Sequence, residues 1–263
     1  MRICRALIPL AIICIGLIPC CKEERASVLP VTAFIIEPEG DAAAVFSEKT
    51  TTFRISYQDR EFVPPRTVNQ VVLEHKTDEL SSTIILRTGP SALLTGTGRG
   101  QYLNATPYLD IHNMAVKEKA ALFIKSADPV KAVSRFVHDH ITDKKAGIPM
   151  LPASVILQNR AGDCTEHSIL TAALLRAAGI PARCVTGVIM AEEFSGRRNV
   201  FVYHMWVEAY YGGRWILTDS TTPEDVHLNR YIAFAYHSLE TEIPLEYIAA
   251  ISSLTDVTIR RIR

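Results

Sequence analysis

The chain has 263 residues, 48% of them hydrophobic, and its 28 Lys and Arg balance its 28 Asp and Glu. That length is enough to bury a full core in one larger domain or in two small ones. The balanced charge, with no Lys/Arg run, lacks the electrostatic footprint of a nucleic-acid binder, and no repeat period or low-complexity tract points to a solenoid or a disordered chain.

The chain opens with the basic segment Met1-Arg2-Ile3-Cys4-Arg5, and residues 6–18 are apolar but shorter than the roughly 20 residues a membrane-spanning helix needs. Residues 1–21 therefore read as an export signal. Leu17-Ile18-Pro19-Cys20 resembles the lipobox of bacterial lipoproteins. That resemblance implies lipidation of Cys20, a membrane anchor in the cell envelope, and a tether over 22–30 that begins Lys22-Glu23-Glu24-Arg25. Pro19 stands where such signals carry Gly, Ala or Ser, so a relaxed lipobox, cleavage elsewhere and an uncleaved anchor all stay open. Four of the six cysteines (Cys4, Cys14, Cys20, Cys21) lie in the leader, which argues against a disulfide framework. Of the other two, Cys184 sits in the strand-like Ala182-Arg183-Cys184-Val185-Thr186 and reads as a small buried hydrophobe.

Residues 31–100 read as a small β-rich domain, with strands expected at 31–36, 50–57, 68–75 and 83–88 between clusters of Pro, Gly, Asp and Ser. Gly89-Pro90 and the stretch from Gly96 to Gly100 mark a boundary, after which 101–263 form a second domain. Helical spacing begins at 111–126. Asp128-Pro129 then supplies an N-cap and a proline at the first helical position for a helix carrying Val130, Val133, Phe136, Val137 and Ile141. His138 and His140, near its end, read as solvated or dipole-related residues.

The segment 157–187 carries the most information. Asp163 caps a helix and Glu166, three residues on, reaches back, a capping box with Asp in place of Ser or Thr. Apolar residues from Ile169 to Ala178 run nearly all round this helix, which makes it central; Gly179 ends it and Pro181 forbids its resumption. Cys164 then stands in the first turn, where the helix dipole favours an anion by about 0.3–1 kcal/mol. That is less than one pKa unit, and Asp163 and Glu166 work against it, so strong activation of the thiol requires a neighbouring imidazolium.

Downstream, 199–211 read as a strand with His204, Trp206 and Glu208 on one face and Met205 and Val207 on the other. Gly212-Gly213 is a two-residue hairpin signal, and 214–218 form the returning strand. Pairing Tyr211 with Arg214 puts His204 opposite Thr221 and diagonal to Asp219, on a shared face. Asp219 can then accept a hydrogen bond from one imidazole nitrogen and leave the other to face a thiol. Trp206 and Trp215 read as core residues. Cys164 and His167 are three apart, but no second ligand pair with zinc-like spacing follows, so neither a metal nor a cofactor is expected.

Four stretches carry a resemblance: Gly162-Asp163-Cys164-Thr165-Glu166-His167, the run from Leu174 to Arg183, His204-Met205-Trp206-Val207-Glu208, and Trp215-Ile216-Leu217-Thr218-Asp219-Ser220-Thr221. Over about residues 105–225 they resemble the three blocks of the transglutaminase-like superfamily. The resemblance implies an α+β, papain-like core in which the nucleophile's helix packs on an antiparallel sheet. It implies Cys164 as nucleophile, His204 as general base and acid, and Asp219 as the residue that orients it. It also implies acyl transfer through a thioester, with hydrolysis of a protein or peptide substrate, cell-wall peptide included, as the expected outcome. Protein-glutamine crosslinking and a non-catalytic, membrane-tethered peptide-binding module are the alternatives. Gln158, six residues before Cys164 and read as a loop residue, resembles in spacing the side-chain oxyanion donor of papain-like proteases.

Overall fold

The computed structural model describes residues 35–58, 62–91, 99–145, 149–237, 239–240 and 257–262. The leader, the tether, Cys20 and the expected strand residues 31–34 lie outside them. Among the described residues no helix is long and apolar enough to cross a membrane. The elements in chain order are β1 (Ile35–Ile36), β2 (Thr51–Tyr57), β3 (Gln70–Thr77), β4 (Ser82–Thr88), α1 (Met114–Ala121), α2 (Pro129–His140), α3 (Ala153–Asn159), α4 (Cys164–Ala177), β5 (Ala182–Phe194), β6 (Arg197–Tyr211), β7 (Arg214–Thr218), β8 (Tyr231–His237) and β9 (Thr258–Arg261). This is the expected α+β, papain-like arrangement of a central helix on an antiparallel sheet.

One sheet runs β1-β6-β5-β8 with β7 also paired to β6, and a second runs β3-β4-β2-β9. The long hairpin of β5 and β6 serves two cores with one face. Near its turn-distal end, Cys184, Met205, Val207 and Ala209 pack with Ile169, Leu170, Ala173 and Leu174 of α4. Farther along the same face, Val188, Met190 and Phe201 pack with Phe53 and Ile55 of β2 and with Ile84 and Leu86 of β4. On the opposite face Trp206, Trp215, Leu217 and Tyr231 form a third cluster. Both tryptophans are buried, as their expected core role requires.

Two expectations about the division of the chain change. The N-terminal strands do not own a separate core: a sheet of four short strands has one apolar face, and β5, β6 and β8 cover it. The tail also splits, since β8 extends the first sheet while β9 pairs with β2 of the second. The helix expected over 111–126 is shorter, because the Asn113 side chain accepts the Ala115 N–H and starts α1 at Met114. Gln158, read as a loop residue, lies in α3, a seven-residue helix too short to show a period and held by burial of Ala153 and Ile156.

Candidate active site

The start of α4 is built as the sequence dictates. Asp163 Oδ1 accepts the Thr165 N–H at 2.9 Å, and Glu166 Oε2 accepts the Asp163 N–H at 3.0 Å. Gly162 precedes them at φ 152°, and a Cβ there would meet the Glu166 Cβ at 2.3 Å, so only glycine lets the carboxyl fold back over the chain. Burial, reinforced by the charge of Asp163, pushes Glu166 up to about 8. At neutral pH the acid expected to oppose a thiolate at Cys164 is therefore largely uncharged. Cys164 itself is partly exposed, and Cys184 is buried in β5, its thiol pushed up to about 12 by burial.

The β6–β7 register is the expected one, Tyr211 opposite Arg214 and Val207 opposite Thr218. On the same edge β1 pairs only at Phe201 and Val202. His204 lies in the gap between these two ladders, where the turn after β7 and the start of α4 reach it. Its Nε2 meets Asp219 Oδ2 at 2.7 Å, and both side chains are buried. The Cys164 side chain acts on the same imidazole. Since Nε2 is engaged by the carboxylate, Nδ1 is the nitrogen left for the sulfur. Burial works against the imidazolium, but the charge and hydrogen bond of Asp219, joined by Cys164, outweigh it and raise His204 to about 10. Asp219, despite burial, is lowered to about 2 by the His204 charge and by its hydrogen bonds.

Asp219 is held by more donors than the sequence indicated. Thr221 gives its N–H at 2.9 Å and its hydroxyl at 2.7 Å to Oδ1, an Asx-type turn whose signal is an Asp two residues before a Thr. Tyr231, on β8, gives its hydroxyl to Oδ2 at 2.9 Å, and no local pattern in the sequence announces this contact. The next residue, Ser220, joins its hydroxyl to that of Thr171 on α4, while its carbonyl accepts from Nδ1 of His138 on α2 at 3.1 Å. His138 thus ties α2 to the site rather than standing solvated.

His167, one turn after Cys164, is buried, and burial pushes it down to about 4. As a neutral imidazole it donates Nδ1–H to the Asp163 carbonyl at 2.6 Å and accepts from Lys144 Nζ at Nε2, 2.9 Å away. That occupies both nitrogens without a metal ion. Among the described residues no group of three or more His, Cys, Asp or Glu side chains is arranged to hold one. Gln158 is exposed on the last turn of α3. The structure thus brings Cys164, His204 and Asp219 together and leaves Gln158 at the surface beside them in sequence.

A half-exposed thiol at a helix start thus meets a buried imidazole on the facing sheet, which a buried carboxylate in the turn after β7 holds from its other side. Residues 117–220 match the transglutaminase-like superfamily. No curated protein matches the sequence. Among solved structures, a candidate cysteine protease from Cytophaga hutchinsonii is similar at TM-score 0.52 and 18% identity, covering 81% of this chain and 86% of that one. The periplasmic domain of TgpA from Pseudomonas aeruginosa, bound to ethylmercury, matches at TM-score 0.44 and 15% identity over 71% of this chain and 95% of that one. Red sea bream transglutaminase matches at TM-score 0.38 and 11% identity over 66% and 46%. At these identities the likeness to the Cytophaga protein speaks to the fold.

Proposed function

We propose that the protein is a thiol-dependent acyl-transfer enzyme that hydrolyses an amide or peptide bond through a thioester on Cys164. The observation that carries this reading is the line Asp219–His204–Cys164, with Nε2 spent on the carboxylate and Nδ1 free for the thiol. His204 takes the thiol proton, and the sulfur adds to the amide carbon while the carbonyl electron pair moves onto oxygen. Collapse of that oxyanion breaks the C–N bond, and the departing nitrogen takes the proton from His204. Water, deprotonated by His204, then attacks the thioester; the C–S bond breaks, an acid leaves and the thiol regains its proton. Asp219 holds the imidazole in the required tautomer throughout.

The oxyanion needs donors, and losing one costs about 100- to 1,000-fold in rate. The Cys164 N–H, in the first turn of α4, has no intrahelical partner and is one. Gln158 is the proposed second. A loss of that size in Gln158→Ala assigns it the role, and wild-type turnover removes it.

Water is the proposed acceptor because it needs no second binding site; an amine would reach the same thioester and give crosslinking. The leader pattern supports an exported protein anchored through a lipid on Cys20, and the mass of the mature N-terminus tests that. The function itself is tested by trapping an acyl-enzyme from peptide and cell-wall peptide mixtures, whose mass identifies the donor, with added amine revealing any transfer. A thiol electrophile should label Cys164 far faster in the wild type than in His204→Ala. Labelling no faster than in the unfolded chain, and indifferent to His204, would leave a tethered peptide-binding module instead.

A further inference from the structure

Tyr231 opens β8, is fully buried, and donates its hydroxyl to the very oxygen of Asp219 that accepts the hydrogen bond from His204 Nε2. Burial, reinforced by Asp219, raises the phenol well above the ordinary tyrosine value, so the hydroxyl keeps its proton and stays a donor. The backbone around it is gripped from the N-terminal sheet. Asn69 Nδ2 donates to the Tyr231 carbonyl at 2.9 Å and to the Leu228 carbonyl at 2.8 Å. Gln70, which opens β3, gives Nε2 to the Ala233 carbonyl and takes the Ala233 N–H on Oε1, both at 2.9 Å. Asn69 and Gln70 are fully buried. A shared apolar face does not call for two buried amides, each of which costs free energy unless hydrogen-bonded; these two are aimed at the one short segment that carries Tyr231.

We propose that Tyr231 is a positioning residue of the active site, and that the N-terminal sheet, through Asn69 and Gln70, is the part of the protein that sets it. This rests on the reading of Cys164, His204 and Asp219 as a catalytic triad. Thr221 already fixes the carboxylate through Oδ1. The contribution of Tyr231 is to share Oδ2, so that the carboxylate holds the imidazole proton less tightly than it otherwise would and His204 can release it to the leaving group. The N-terminal β-rich part thereby has a place in the chemistry without touching substrate.

The test is the pH profile of Cys164 alkylation by iodoacetamide in the full chain, read together with the downfield N–H proton resonance of His204. The other ionisable groups around the pair are His167 on α4, His138 of α2 behind Ser220, Lys144 behind His167 and Asp225 beyond Tyr231, and all stay unchanged in the variants. Tyr231→Phe keeps the ring and removes only the donor. Its upper inflection should move to higher pH by about half a unit, about threefold in the proton equilibrium. The imidazole resonance should move with it. Asn69→Ala should shift the profile in the same direction and add nothing in the Tyr231→Phe background; Asn69→Thr takes its place should the alanine variant not fold. A Tyr231→Phe profile and resonance identical to wild type would overturn the proposal, as would equal effects of the Asn69 variant in both backgrounds. Alkylation of the wild type that ignores His204 would instead strike at the triad itself.

Discussion

Asp219→Asn separates holding the imidazole from choosing its tautomer. Each carboxylate oxygen of Asp219 receives two donors, Thr221 N–H and O–H at Oδ1, His204 Nε2 and Tyr231 O–H at Oδ2. An amide has one oxygen and one NH2, so it can accept from only one of these pairs. If its oxygen faces His204, the half-buried Thr221 N–H is stranded at a cost of about 1 kcal/mol or more. If its NH2 faces His204, Nε2 and the Tyr231 oxygen both become acceptors, and the Tyr231 hydroxyl turns its proton to the Thr222 side chain that also meets it. The second orientation is favoured, and it moves the ring proton to Nδ1, the nitrogen that must take the thiol proton. Stability should then drop only by the difference between a charged and a neutral hydrogen bond, about 1 kcal/mol, while turnover falls by about 10⁴-fold, the size of the same lesion in a serine-protease triad. The assay pairs urea denaturation with the pH profile of iodoacetamide alkylation. Wild type should hold a plateau through neutral pH, since its imidazolium persists to about 10; the variant's rate should simply climb with pH as for a free thiol. Asp219→Ala, which strands every one of those donors, should be the less stable of the two. An Asn variant with a wild-type profile would refute the reasoning, and so would one less stable than Ala.

Glu166 supplies a pH prediction. Its folded value near 8 stands above the ordinary 4.5, so the stability it contributes is complete below 4.5 and is lost as pH rises through 8. Glu166→Gln should flatten the stability profile across that window and be the more stable protein at pH 8, as read by denaturant midpoints at several pH values. Gly187→Ala places a Cβ 2.0 Å from the Ile232 carbonyl oxygen and 2.9 Å from Trp206. It should cost about 1–3 kcal/mol or more by overpacking, and displacing β8 should slow Cys164 alkylation along with it. Arg183 gives two hydrogen bonds to the fully buried Glu208 at 3.0 and 2.7 Å. Arg183→Met should lower stability by about 3–5 kcal/mol because it leaves that carboxylate unpaired, and adding Glu208→Gln should recover most of the loss; no recovery would place the effect in packing against Trp215 and Tyr236.

Local chemistry is readable along the chain. The capping box at Asp163 and Glu166, the proline at the start of α2 and the Gly212-Gly213 turn each depend on contacts within a few residues, so spacing alone announced them. The turn then set the register, and with period-two alternation the register put His204 and Asp219 on one face. What no local pattern carried is whatever closes across the fold. Tyr231 meets Asp219 because β8 pairs with β5, the N-terminal sheet covers the far end of the β5–β6 hairpin because its own apolar face needs burial, and β9 returns across the chain to β2. The charge state of Glu166 and His167 belongs to the same class, since desolvation is a property of the packed interior and not of a residue's neighbours in sequence. Sequence by itself determined which side chains could do thiol chemistry; tertiary packing decided which nitrogen faces the sulfur and what holds the carboxylate, because those depend on groups that only the closed core brings within reach.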